Sequence, residues 1–201
     1  MANSRYIEKK GSHYTIKVVL FCGSTGAIEV LEKFLMHVSQ KTLRAAIVVI
    51  LHRKAGHQDL LVRYLNQKLK VMVKAIEHGI PLEKGVIYIA PAGYHCMLEK
   101  DMTLSLDLSE KVMFSRPSAD VSLESFSYNL KDRLIAIIVS GANTDGADGA
   151  KFVSRRKGKI IVQNPTEAFA KTMPSAVIDS LDKVDHIVTT KELYKTAAKY
   201  F

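Results

Sequence analysis

The sequence predicts an α/β protein: a doubly wound, mostly parallel sheet with helices on both faces and an antiparallel hairpin region at one edge. Two observations carry this. Apolar runs rich in β-branched residues (16–22, 45–51, 134–139) alternate with amphipathic stretches, as parallel strands joined by crossover helices do. Residues 134–139 are apolar throughout rather than alternating, which is the pattern of a strand covered on both faces.

Residues 16–22 read as the first strand. Residues 27–38 follow as a helix, with Ile28, Leu31, Leu35 and Val38 at helical spacing. Strand 45–51, helix 57–69 opening at His57, and strand 71–76 complete a βαβαβ unit. Residues 86–90, 94–98 and 102–108 are short and close together. Pro91-Ala92-Gly93 and Glu99-Lys100-Asp101 separate them, so they read as hairpins. Helix 118–130 has Ser118 as its N-cap, and 134–139 is a central strand. Strands at 160–162 and 186–188 and helices at 172–181 and 191–199 end the chain. No repeat, low-complexity tract or linker divides it, so residues 15–201 form one domain, preceded by a flexible segment 1–14.

The 201 residues, 47% hydrophobic, suffice for one well-cored domain. The charge is +9, from 29 Lys+Arg against 20 Asp+Glu, which favours an acidic partner. The basic residues are dispersed apart from Arg155-Arg156-Lys157 and lack aromatic interleaving, so nucleic acid is not expected. Cys22 and Cys96 lie in apolar segments without metal-ligand spacing, which fits reduced core thiols and a cytoplasmic protein. Neither a signal segment nor a run long enough to span a membrane is present, so no membrane insertion is expected. No zinc pattern and no dinucleotide fingerprint occurs, and no cofactor or metal is expected.

In an open parallel sheet, chemistry gathers at the carboxyl ends of the strands. Three polar residues stand at such ends. Ser24 lies in Gly23-Ser24-Thr25-Gly26 after the first strand, His52 follows the second, and Asp145 lies in Gly141-Ala142-Asn143-Thr144-Asp145-Gly146 beyond strand 134–139. A nucleophilic hydroxyl, an imidazole base and an orienting carboxylate form a proton-relay set if the three strands are near neighbours. Backbone N–H groups at Thr25, Gly26 and within Gly141-Ala142-Asn143 are the natural oxyanion donors. The glycine turn equally fits a phosphate-binding turn, the histidine a structural role, and the aspartate a turn former or helix cap. His95 either faces the site or packs inside.

With these segments assembled, residues 18–188 resemble the catalytic domain of the CheB-type protein-glutamate methylesterases of bacterial chemotaxis. The resemblance is carried by the serine turn, the His52 strand end, Val86-Ile87-Tyr88-Ile89-Ala90-Pro91 with Tyr94-His95, Ser115-Arg116-Pro117-Ser118-Ala119-Asp120-Val121, the Asp145 loop through Ala150, Ile161-Val162-Gln163-Asn164, and Thr172-Met173-Pro174-Ser175-Ala176. It implies that Ser24 is the nucleophile, His52 the base and Asp145 its orienting partner. Thr25 and Ala142 would hold the oxyanion, and Arg116 and Met173 would line or support the cleft.

The implied reaction hydrolyses glutamate methyl esters through an acyl-enzyme, and deamidates glutamines by the same acyl chemistry. The implied partner is the acidic helical region of methyl-accepting chemotaxis receptors. The chain departs from the family pattern at Cys22 and Ala27, where glycines are usual. It also lacks room for the phosphoreceiver domain that gates better-known members, so control is absent or comes from a separate response regulator or signalling kinase. Two rival readings follow: a catalytically weakened docking module of a signalling complex, and a phosphate- or nucleotide-binding α/β protein.

Overall fold

The structure, a computed structural model, describes residues 16–39, 43–53 and 58–201; the expected segment 1–14 and His57 lie outside the described residues. Seven parallel strands form the main sheet in the order β10-β9-β8-β1-β2-β5-β3. They are β1 (Lys17–Gly23), β2 (Ala45–Leu51), β3 (Met72–Ala75), β5 (Val86–Ile89), β8 (Leu134–Ile138), β9 (Lys159–Gln163) and β10 (His186–Val188). A second, antiparallel sheet in the order β4-β7-β6 comprises β4 (Ile80–Pro81), β6 (His95–Leu98) and β7 (Thr103–Asp107).

The helices are α1 (Ala27–Leu35), α2 (Gln58–Lys68), α3 (Ala119–Leu130), α4 (Ala147–Arg155), α5 (Thr172–Asp179) and α6 (Leu193–Ala197). Strand pleating sorts them onto two faces. Val18, Leu20 and Cys22 of β1 pack with Leu123 and Phe126 of α3, Val153 of α4 and Val177 of α5. Val19 and Phe21 pack with Leu31 and Phe34 of α1, Leu65 of α2 and Leu193 of α6. Every residue of β2 is buried, so each face of the strand contributes, at about 1.5–3 kcal/mol per fully covered Val, Leu or Ile side chain. The doubly wound architecture is therefore the one the apolar runs predict.

Three local differences stand out. Val86–Ile89 is not a hairpin arm; it pairs in parallel with both β2 and β3 inside the main sheet. The antiparallel strands form their own sheet, held to the body by α3, whose Ser125 hydroxyl accepts from the Leu98 N–H at 3.0 Å. Helix α4 is absent from the sequence reading, because its start is fixed by a distant carboxylate: Asp120 Oδ1 accepts from the N–H groups of Gly146 (2.9 Å) and Gly149 (2.7 Å). No helix among the described residues is long and apolar enough to cross a membrane.

Candidate active site

The strand order places β1 between β2 and β8, so the ends carrying Ser24, His52 and the Asp145 loop are neighbours. Chain order runs outward in opposite directions from this point, the crevice at which open α/β sheets bind ligands. Cys22 pairs in register with Ile50 on one side and Ile138 on the other. His52 N–H continues the ladder to Gly23 O at 3.1 Å, while Ser24 N–H donates to Ser140 O at 2.9 Å. The serine turn is thus tied to both flanking strands by backbone alone.

Gly26 and Gly141 leave no room for a β-carbon. Gly26 begins α1 in the left-handed region (φ +81°), and a β-carbon on it would meet Phe169 Cβ at 2.5 Å. A β-carbon on Gly141 would meet Met173 Sδ at 2.8 Å and Ser24 Cβ at 3.1 Å. Met173 is fully buried and so supports the Gly141 backbone from behind rather than lining open space. Ser140 clamps the turn further: its hydroxyl donates to Thr25 O at 2.6 Å and accepts from Ala170 N–H at 2.9 Å.

Asp145 is completely buried and is the most densely bonded carboxylate in the site. Its Oδ2 accepts from His52 Nε2–H at 2.7 Å and from Ala119 N–H at 2.6 Å. Its Oδ1 accepts from the Ser118 hydroxyl at 2.7 Å and from Asp120 N–H at 2.9 Å. Burial alone would raise this carboxyl, but the hydrogen bonds from His52, Asp120, Ala119 and Ser118 outweigh it and hold it below the ordinary carboxylate range. Behind it, Asp120 is raised, first by burial and then by the charge of Asp145, against the lowering effect of the Gly149 N–H.

An anionic Asp145 bonded to Nε2 fixes the His52 tautomer with its proton on that nitrogen and its lone pair on Nδ1. That lone pair receives a hydrogen bond from Ser115 Oγ at 3.1 Å. Among the described residues, no hydrogen bond joins Ser24 Oγ to His52. The structure therefore brings together the His52–Asp145 couple, sets Ser24 on the adjoining strand end, and adds a second hydroxyl that sequence reasoning did not place on the base.

The other expected residues fall as follows. Thr25, Gly26 and Ala142 N–H groups donate to no acceptor among the described residues, whereas Gly141 N–H is engaged by Ala170 O at 3.0 Å. Arg116 lines a cavity of about 540 Å³ together with His52, Arg53, Lys111, Phe114 and Ser115. His95 is not brought to the cleft: it is fully buried, with Nε2 on Glu110 O at 2.9 Å and Nδ1 accepting from Ser118 N–H at 3.2 Å. Its work is structural, joining β6 to the start of α3.

Cys22 and Ala27 are both fully buried and pack into opposite cores, so neither β-carbon lines the cavity. Burial, reinforced by the nearby Asp145 and Asp120 charges, pushes the Cys22 thiol up and keeps it an uncharged filler. No group of three or more His, Cys, Asp or Glu side chains among the described residues is arranged to hold a metal ion.

Comparison with known proteins follows the same line. Residues 19–196 match the family described as CheB methylesterase. A Leptospira interrogans relative is 35% identical over 147 residues, covering 73% of this chain and 76% of its own length, and carries the name protein-glutamate methylesterase/protein-glutamine glutaminase provisionally. A Methanosarcina acetivorans protein-glutamate methylesterase/protein-glutamine glutaminase is 30% identical over 162 residues, 77% of this chain and 45% of its own. The crystal structure of the Thermotoga maritima CheB methylesterase catalytic domain superposes with a TM-score of 0.88 at 26% identity, covering 93% of this chain and all of that one.

Proposed function

Since the chain belongs to the CheB methylesterase family, we propose that it hydrolyses glutamate methyl esters on chemotaxis receptors with Ser24 as nucleophile, His52 as general base and Asp145 as the group that orients and charges the base. The observation that carries this is the His52–Asp145 hydrogen bond of 2.7 Å, made at the strand end beside the serine turn. Deamidation of glutamine is the same acyl transfer with ammonia as leaving group.

The chemistry follows from the tautomer. Ser24 Oγ attacks the ester carbonyl carbon while its proton passes to His52 Nδ1, and Asp145 stabilises the imidazolium that results. The carbonyl oxygen becomes an oxyanion, for which the uncommitted N–H groups of Thr25, Gly26 and Ala142 are available donors. Collapse expels methanol, which takes the proton back from Nδ1. Water then adds to the acyl-enzyme with His52 again as base, releasing the glutamate carboxylate and regenerating Ser24. Ser115 has to yield its bond to Nδ1 for Ser24 to use that nitrogen.

Methanol release from a methylated receptor fragment tests the reading. Ser24→Ala is expected to lower turnover by roughly 10⁴- to 10⁶-fold, and a serine-directed phosphonate is expected to label Ser24 only while His52 is intact. A modest loss, or labelling at Ser115 instead, counts against the assignment. The Ser115–His52 bond also supports a second reading, a docking module whose base is held away from Ser24; receptor binding without methanol release in the wild-type protein would select it.

A further inference from the structure

Beyond the reacting groups, the cavity next to His52 carries an unbalanced charge. Arg53, Lys111 and Arg116 all line it, and among the described residues none of them pairs with a carboxylate. Both guanidinium groups are anchored to backbone: Arg53 Nη2–H donates to Ala90 O at 2.9 Å, and Arg116 Nη1–H to Leu108 O at 2.6 Å and Ser109 O at 2.7 Å. Carbonyl oxygens fix such groups in place without neutralising them. In each, Nε–H is buried and has no partner among the described residues. Three cations that no carboxylate neutralises, lining one cavity, are the arrangement that an anionic ligand completes.

The cavity lies on the Ser115 side of the imidazole, and Ser24 is not among its lining residues. An anion held there by Arg53, Lys111 and Arg116 sits beside the base and off the serine turn. Phe114, 95% exposed at the cavity rim, offers an apolar surface for the methylene groups that carry such an anion. Burial also lowers the Arg53 pKa, the mark of a cation short of a counter-charge.

We propose that Arg53, Lys111 and Arg116 form a carboxylate subsite that receives an acidic side chain of the substrate next to the glutamate ester. This deepens the esterase reading and rests on it. The enzyme would then choose among methylated positions by the charge of their surroundings, and would prefer a side chain with a neighbouring carboxylate over one flanked by amides.

The test uses paired helical peptides, each with one glutamate γ-methyl ester, flanked three and four residues away on both sides by Glu or by Gln. These spacings keep the flanking groups on the ester's face of the helix. At low salt the wild-type kcat/KM is expected to favour the Glu-flanked peptide by about tenfold or more. In Arg53→Gln/Lys111→Gln, and more weakly in Lys111→Gln alone, that ratio is expected to fall toward one.

Binding is measured as well, by fluorescence anisotropy of the same peptides with Gln in place of the ester, on Ser24→Ala protein; the same preference is expected without any turnover. A wild-type ratio near one in both measurements, or a ratio unchanged in the double variant, overturns the subsite. So does inhibition by millimolar inorganic phosphate with no Glu preference, which identifies a phosphate site. If Ser24→Ala hydrolyses both peptides as the wild type does, the nucleophile assignment fails while the flank ratio still reports on the subsite.

Discussion

Ser115 Oγ lies 3.1 Å from His52 Nδ1, on the nitrogen opposite the one bonded to Asp145. The base is thus satisfied on both sides before any substrate arrives. Ser115 closes a tight turn by bridging Val112, and the two residues between them, Met113 (φ 47°) and Phe114 (φ 60°), both sit in the left-handed region. The Asn143 amide steadies the turn through Met113 O at 3.2 Å and Ser115 Oγ at 3.3 Å. Left-handed conformation at two consecutive non-glycine residues is costly, and here it accompanies delivery of a hydroxyl to the base.

Ser115→Ala removes the competitor for the Nδ1 lone pair and leaves the backbone bridge intact. Turnover of a small methyl ester is expected to rise about 2- to 10-fold, the worth of one net hydrogen bond of about 0.5–1.5 kcal/mol. A fall in kcat instead would mean that Ser115 holds the ring in its working orientation.

Asp145→Asn keeps the shape but sets an amide NH₂ against donors that now face an acceptor. About 2–4 kcal/mol of stability is expected to go, measured by urea unfolding at neutral pH, with turnover down about 10⁴-fold. The sign with pH follows from the depressed pKa. The stabilisation is present above the unfolded-state value of about 3.9 and is lost as pH falls through the folded-state value, so the variant's deficit should shrink in acid.

Asp120 works in the opposite sense. Its folded-state pKa is raised from 3.8 to about 7, so between those values the folded protein binds more protons than the unfolded chain, and this group makes stability fall as pH rises. Asp120→Asn retains an oxygen for the Gly146 and Gly149 N–H groups and removes the charge beside Asp145. Its stability is expected to vary less between pH about 4 and 7 than that of the wild type; an unchanged slope from thermal melts across that range would refute the coupling.

Gly141→Ala forces a β-carbon against Met173 and Ser24. The expected cost is about 1–3 kcal/mol of stability from overpacking, with a loss of about 10²-fold in kcat as the serine is displaced. Met173→Ala in the same chain makes room for the methyl group, and partial recovery of kcat checks that the contact is the cause.

Much of this was legible in the chain. Unbroken apolar runs such as Ala45–Leu51 disclosed strands covered on both faces, and the polar residues just beyond them disclosed the site. What escaped was whatever depends on partners far away in sequence. Helix α4 was hidden because Asp120, not a local residue, satisfies its first N–H groups. Val86–Ile89 has the length and spacing of a hairpin arm, and only its pairing with β2 and β3 places it in the main sheet.

His95 looked free to face the cleft, yet Glu110 O and Ser118 N–H consume both ring nitrogens. Ser115 gave no periodic or spacing signal, since a pair of left-handed residues carries it to the base. Ser118-Ala119-Asp120 read as a helix start, and it is one, but the anion that completes it is Asp145.

Two helices are begun on each other's acids: the first turn of α3 grips Asp145 from the loop before α4, and Asp120 of α3 grips the first turn of α4. Such a reciprocal latch closes only when both partners are docked. Anything that springs it deprives the imidazole of its counter-ion, so hydrolysis depends on the docking of α3 against α4 as well as on the sheet.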